Sequence, residues 1–218
     1  MSVAERKERE KQQRRKDIVD AAEKKFFEKG FDGVSMDEIA RELELSKPTL
    51  YLYFKNKETL FLAVVIRGTM LLRDMFRAAV EREPTGMGKC KAFARAFFEY
   101  AARYPDYYRL LMAARNRRFM SQVRSGEVDG GRDFGNLAME MIMLLIDAIK
   151  LGQKDGTMRK DLDPAQTAIF LSMACEGAVQ MTPEWEMLLQ MNKVSIDRYY
   201  DHSIDVLLHG IAVEDRKK

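Results

Sequence analysis

The sequence predicts an all-α protein. Apolar residues recur at helical spacing along most of the chain, and no alternating run is long enough to read as a strand. Stretches containing Gly or Pro interrupt that periodicity at 84–88, at Tyr104-Pro105, at 125–131, at 154–164 and at Thr182-Pro183. These breaks divide residues 57–218 into about six helices, which with three earlier ones makes about nine. A chain of 218 residues can hold one large or two small domains with a sizeable core. The local patterns divide it into 1–60 and 61–218.

The first sixteen residues, MSVAERKEREKQQRRK, carry seven Lys or Arg against three Glu and too few apolar side chains to build a core. They read as a flexible arm or a fraying helical extension, able to meet phosphates through Arg14, Arg15 and Lys16. A merely solvated tail is the alternative for residues 1–10. A helical pattern follows from about Asp17. At Ser35 a second helix begins: Ser35 can cap it, Glu38 can return the bond from three residues on, and Val34 and Ile39 sit where a hydrophobic staple closes. Ile39, Ala40 and Leu43 then give one buried face. The pattern repeats at Ser46, bracketed by Leu45 and Leu50, with Pro48 in the first turn, where its missing N–H costs little.

Two helix starts so close together leave room for only two turns of helix and a short reversal. That is the layout of a helix-turn-helix, in which one helix braces the backbone and the next lies in the DNA major groove. At about 100° per residue, Leu50 and Phe54 define the inward face of the second helix. Pro48, Leu52 and Lys55 lie almost opposite, with Thr49, Tyr51 and Tyr53 on the flanks and Lys47 at the N-terminal end. Thr and Leu can touch thymine methyls, while Thr, Tyr and Lys can reach base edges and phosphates. The plain alternative is a solvated helix in an ordinary hairpin, but a solvated face rarely displays Leu52 beside two aromatics.

The segment from about Asp17 to Phe61 resembles the DNA-binding domain of the TetR family of transcriptional regulators. The likeness rests on IVDAAEKKFFEKGFDGVSMDEIA, the turn LELS, the helix KPTLYLYF and the following KNKETLF, above all on Tyr51, Tyr53, Phe54 and Lys57 at their relative spacings. It implies that Lys47, Pro48, Thr49, Tyr51 and Tyr53 face DNA and that Ser35 and Lys57 hold phosphates. With the residues read by angle, the candidate DNA contacts are Arg14, Arg15, Ser35, Ser46, Lys47, Pro48, Thr49, Tyr51, Leu52, Tyr53, Lys55 and Lys57. One position departs from the family pattern, which usually has Gly where this chain has Glu44. Either Glu44 accepts a left-handed backbone, uncommon for its type, or the turn differs locally.

Helix four runs from roughly Lys57 to Glu83 with only Gly68 as a weak point, about 27 residues or roughly 40 Å. It joins the two domains without a flexible linker. Later helices run from Pro164 to about Met181 and from Ser195 to about Gly210. The last carries Tyr200, Ile204, Leu207, Leu208 and Ile211 on one stripe, which Ile196 extends by a turn, leaving Tyr199 and Val206 for a partner. DGTMRKDLDPAQTAIFLSMACEGAV and DVLLHGI resemble, more weakly, the part of TetR-family proteins in which the last two long helices form a four-helix dimer interface. Dimerisation has its own reason: one small helix-turn-helix reads only a few base pairs, and a two-fold axis doubles the site.

The second domain is rich in Met and aromatics. Plain core packing accounts for any one of them, but Met also lines adaptable sites, and pockets between bundle helices are a usual place for small molecules. The resemblance implies an apolar effector bound there. Phe93, Phe97, Tyr100, Tyr104, Tyr108, Met112, Met139, Met143, Phe170, Met173 and Glu176 are the candidate lining. Glu176, a charge inside an otherwise apolar helix, faces either that pocket or the dimer seam.

Other chemistry finds little support. Cys90 and Cys175 lack CxxC partners, and His202 and His209 have no cluster to complete a metal set, so no metal or cofactor is expected. No nucleophile–base arrangement, phosphate loop or paired-carboxylate motif is evident, which argues against an enzyme. The charged N-terminus lacks a signal-peptide core, and Leu137 to Ile149 is too short and too charged to span a bilayer, so a soluble, cytoplasmic protein is expected. The expectation is a homodimeric, sequence-specific DNA-binding transcriptional regulator, a repressor released from a palindromic operator by a small, largely apolar effector. The alternatives are a helical protein-interaction module or a DNA-binding regulator that answers no ligand.

Overall fold

The computed structural model describes residues 2–213. Among them the chain forms eleven helices: α1 (Val3–Lys29), α2 (Met36–Glu42), α3 (Lys47–Tyr53), α4 (Lys57–Glu81), α5 (Gly86–Arg103), α6 (Pro105–Ala114), α7 (Arg117–Ser125), α8 (Gly131–Asp155), α9 (Pro164–Val179), α10 (Pro183–Met191) and α11 (Ile196–His209). A single antiparallel bridge, Met158 to Ala212, is the one β-type pairing among the described residues. Two more helices form than the sequence reading counted: α7, which a break without Gly or Pro separates from α6, and the short α10, between Thr182-Pro183 and the helix start at Ser195. Asn116 starts α7 by accepting from the Phe119 N–H at 2.8 Å while its amide donates to the Ala113 carbonyl at 2.6 Å. Lys193, at φ 55°, ends α10, and Ser195 caps α11.

The helices gather into two compact units. One is built from residues up to 70 together with 105–136, the other from 71–104 and from 137 onward. α4 and α8 each contribute to both.

In the first unit, α1 is helical from Val3 onward, so the basic N-terminal stretch is an extension of a helix, begun by a capping box between Ser2 and Glu5. Its buried face starts only at Ile18 and continues through Val19, Ala22 and Phe26. Phe61 closes edge-on against both Phe26 (5.2 Å) and Phe119 (5.5 Å), which gives this unit an aromatic centre. α6 is strapped to α1 by polar groups as well. The Tyr107 hydroxyl donates to Glu23 Oε2 at 2.5 Å, and Arg67 of α4 donates to the same carboxylate at 2.9 Å and pairs with Asp20 at 2.7 Å. Burial and then the Glu23 carboxylate push the Tyr107 phenol well above its usual range, so it stays a donor. Gly68 gives the Tyr107 ring its seat, since a Cβ there would collide with it.

In the second unit α5 is the central element, packing on α9 and α11. It buries Cys90, Phe93, Ala94, Phe97, Phe98, Tyr100 and Ala101. Phe93 stacks on Phe76 at 3.7 Å and Phe98 on Tyr200 at 4.2 Å. The start of α5 meets α8 backbone to backbone at Gly86 and Gly152, an approach no side chain would allow, and Asp155 accepts from the Gly86 N–H at 2.7 Å. Burial pushes the Cys90 thiol up to about 12 and the Cys175 thiol up to about 11, so both behave as small apolar groups.

The reversal between α2 and α3 resolves the choice left open at Glu44. Its φ is 53°, its N–H donates to the Arg41 carbonyl (3.2 Å), and the Leu45 N–H donates to the Ala40 carbonyl (2.8 Å). This pairing is the Schellman helix ending, with Glu44 in the place usually taken by Gly. A left-handed residue with a Cβ costs roughly 1–2 kcal/mol, partly offset because Gly loses more freedom on folding. Glu44→Gly is therefore expected to leave stability unchanged or raise it by up to about 1 kcal/mol, and Glu44→Val to lower it by about 1–2 kcal/mol. Urea denaturation followed by circular dichroism measures both.

Candidate nucleic-acid interface

α2 and α3 are each only seven residues long, and both are held by caps and buried anchors rather than by their own length. Ser35 Oγ accepts from the Glu38 N–H at 3.2 Å, and the Glu38 carboxylate accepts from the Ser35 N–H at 2.9 Å, which is the expected capping box. Lys29 of α1 adds a third bond to that carboxylate at 2.8 Å. Ser46 caps α3 by accepting from the Thr49 N–H at 3.3 Å, and the two side-chain hydroxyls meet at 2.7 Å. Beneath them, Leu50 and Phe54 are completely buried.

The opposite flank of α3 is open. Leu52 is 82% exposed and Tyr51 41%, and Ser46, Lys47 and Pro48 are exposed with them, while Thr49 and Tyr53 are half-buried. An apolar side chain as open as Leu52 contributes nothing to this unit's core. The Lys47 ammonium pairs with Asp37 of α2 at 2.8 Å, which raises its pKa. Both partners lie at the surface, so a phosphate could displace the carboxylate. Arg15, from α1, lies over the Phe54 ring at 4.7 Å, and Arg14 is exposed one residue earlier. The two arginines thus stand where α1 passes the C-terminal end of α3.

Three more candidate contacts have partners within the protein. Ser35 spends its hydroxyl on the capping box. Lys57 points inward: its ammonium donates to the Phe31 and Val34 carbonyls at 3.0 and 3.1 Å and lies 4.2 Å from the centre of the Phe31 ring. It ties the α1–α2 loop to α4. Lys55 donates to Asp129 Oδ1 at 2.7 Å and to the Gly126 carbonyl at 3.1 Å. Angle counting along α3 could not find the partners of Lys57 and Lys55, because they lie tens of residues away.

The candidate effector lining divides. Phe93, Phe97 and Tyr100 are buried in the second unit, and Tyr104 and Glu176 are half-buried there. Tyr108 and Met112 belong to the first unit. Met139, Met143, Phe170 and Met173 are exposed, by 39–67%. The reason is phase: α8 buries Phe134, Leu137, Met141, Leu145 and Ala148, and α9 buries Ala168, Leu171, Cys175 and Ala178. The four exposed side chains lie off those stripes. A small apolar void does exist, lined by Cys90, Phe93, Ala94, Leu145, Leu171, Cys175, Ile204, Leu207 and Leu208, with room for about one water molecule. Of the expected lining, only Phe93 reaches it.

Residues 18–64, which span α2, α3 and their surroundings, match the family model described as bacterial regulatory proteins, tetR family. That segment is a DNA-binding domain of the TetR type. The HTH-type transcriptional activator FasR of Mycolicibacterium smegmatis is 33% identical over 99 residues, which is 45% of this chain and 45% of that protein. The match thus spans less than half the length of that curated relative. Solved structures share the TetR fold over nearly their whole length. The ketosteroid transcriptional regulator KstR2 of Mycobacterium tuberculosis superposes with a TM-score of 0.65 at 18% identity, covering 92% of this chain and 96% of that one. AibR, in complex with isovaleryl coenzyme A and operator DNA, gives 0.64 at 18% identity, covering 88% and 97%.

The cap at Ser35 carries a pH dependence. Lys29, followed by the Ser35 N–H and hydroxyl, lowers the Glu38 carboxyl from 4.5 to about 2. A depressed folded-state pKa stabilises above the unfolded value and loses that contribution as pH falls through the folded one. The Glu38 contribution is therefore complete above pH 4.5 and fades toward pH 2. Glu38→Gln is expected to flatten the stability profile in that window, as read from urea midpoints at successive pH values.

Proposed function

We propose that this protein is a DNA-binding transcriptional regulator that holds a palindromic operator as a homodimer and represses until a small, largely apolar effector releases it. The observation that carries the reading is α3: its inner face is fixed by Leu50 and Phe54, and its outer flank of Lys47, Pro48, Tyr51, Leu52 and Tyr53 is left without a structural task. On this reading Thr49, Tyr51 and Tyr53 meet base edges, Leu52 meets thymine methyls, and Lys47 and Ser46 meet phosphates with Arg14 and Arg15 beside them. The helical extension of α1 supports the last point. At 100° per residue, Lys7, Lys11 and Arg14 fall on the same side as Ile18 and Ala22, so a basic stripe prolongs the packed face of α1.

The dimer is assigned to α9 and α11. Large apolar side chains stand exposed on them and on the neighbouring α8 and α10: Ile169, Phe170 and Met173, Val206, Met139, and Trp185 with Met191. So much open apolar surface on one unit marks an association site. Tyr200, Ile204, Leu208 and Ile211 face the unit's own core, which leaves the Val206 row for the partner. Ile196, 42% exposed, belongs to that outward set rather than to the inner stripe.

Effector control follows from the void beside Cys90 and Cys175. It holds about one water, so an effector must part α5, α9 and α11 to enter. A ligand that binds only the parted state shifts the population toward it, and the ligand's preference between states sets how far DNA affinity can fall. AibR, which shares this fold, holds isovaleryl coenzyme A and operator DNA in one crystal, so a protein of this shape can take both a small molecule and DNA.

Selection from a random duplex library is expected to return a palindromic site. Against it, Lys47→Ala should weaken binding and reduce the salt slope by about 1. Tyr53→Ala should weaken binding about 10-fold or more and relax sequence preference, the discrimination of a good base contact. Phe170→Asp should yield a folded monomer in sedimentation velocity that no longer holds the palindrome. A helical interaction module would instead select no sequence.

A further inference from the structure

The loop between α7 and α8, residues 126–130, makes a set of contacts with the exit of α3 that nothing in the DNA-reading surface requires. Lys55 directly follows Phe54, which ends α3, and it crosses to Asp129 Oδ1 at 2.7 Å and the Gly126 carbonyl at 3.1 Å. Asn56 donates to the Glu127 carbonyl at 3.1 Å while its Oδ1 accepts from the Thr59 N–H at 2.8 Å, capping α4. The Asp129 N–H donates to the buried Thr59 hydroxyl at 3.2 Å. The loop is seated by shape as well: Val128 is buried, Gly126 and Gly130 have φ of 81° and 92°, and a Cβ on Gly130 would crowd Ile66. A carboxylate beside a DNA-facing helix repels phosphate, so the placement of Asp129 needs a reason. The Lys55 bond supplies one.

We propose that residues 126–130 latch the exit of α3 and that Asp129 is a positioning residue, acting on DNA binding through Lys55 without touching DNA. This rests on the reading of α3 as the element that enters the groove. Lys55 is then a strut rather than a phosphate contact. Each bond is modest at the surface, but together they fix the direction in which the chain leaves α3, and so the tilt of a helix too short to hold its own orientation.

The test compares Lys55→Met, Asp129→Ala and the double variant in the full-length protein, with retained helicity checked by circular dichroism. Binding to the duplex selected by the wild type is measured across a salt series. A latch predicts that each single variant loses about 3–10-fold in affinity, that the double variant loses no more than either alone, and that all keep the wild-type salt slope. A phosphate-binding Lys55 predicts a slope reduced by about 1 for Lys55→Met and tighter binding for Asp129→Ala, and that result overturns the proposal. Hydrogen exchange on the DNA-free protein gives a second, independent reading. The Phe54 amide, which donates to the Leu50 carbonyl at 3.1 Å, should exchange about 10-fold faster in Asp129→Ala, and unchanged protection overturns the latch whatever the DNA result. A wild type that selects no duplex sinks the DNA reading instead.

Discussion

A helix of seven residues does not persist in water by itself, so the open flank of α3 depends on the burial of two side chains beneath it. Leu50 and Phe54 are both removed completely from solvent, each contributing about 1.5–3 kcal/mol of burial. The Ser46 cap and the Schellman turn at Glu44 then set where α3 begins and how it leaves α2. Because those two side chains hold the inner face, the outer one is released from any folding duty. Leu52 can be open to solvent and Lys47 paired only loosely without loss to the fold. The division of labour within one short helix leaves its outer side chains free of the fold.

Around this helix the first unit uses charge as bracing. Glu23 and Asp20 on α1 gather Arg67 and Tyr107, Lys57 turns into the α1–α2 loop, and Lys29 secures the α2 cap. A tally of basic residues would assign most of these cations to nucleic acid, but geometry assigns several to the scaffold. The second unit buries aromatic stacks and apolar contacts around α5, and ion pairs lie at its surface, as from α5 to α11 at Lys91–Asp205 (2.8 Å) and Arg95–Asp201 (3.0 Å).

Features governed by neighbours in sequence were legible before any coordinates. The Ser35–Glu38 box is a three-residue pattern, the inward pair Leu50 and Phe54 follows from the helical angle, and the unusual turn at Glu44 shows where Gly is expected. What escaped was long-range or a matter of phase. Nothing near Lys55 indicates Asp129, and nothing near Lys57 indicates the Phe31 carbonyl. Composition alone gathered Met139, Met143, Phe170 and Met173 into a pocket, whereas the same angle counting used on α3 would have set them off the buried stripes of α8 and α9. The break at Asn116 carries a weaker signal than Gly or Pro, and α10 is a short helix between two boundaries the pattern does mark, which is why the helix count fell short.

α10 has no buried residue along its nine positions, an uncomfortable state for a helix bearing Trp185, Met187, Leu188 and Met191. Trp185 is also the chain's single tryptophan, 59% exposed. The indole emission of this protein therefore originates at one spot on one helix. Whatever settles over α10, a second copy or another molecule, will dry that ring and shift its spectrum to the blue. The chain carries its own optical gauge of that event, with no dye attached.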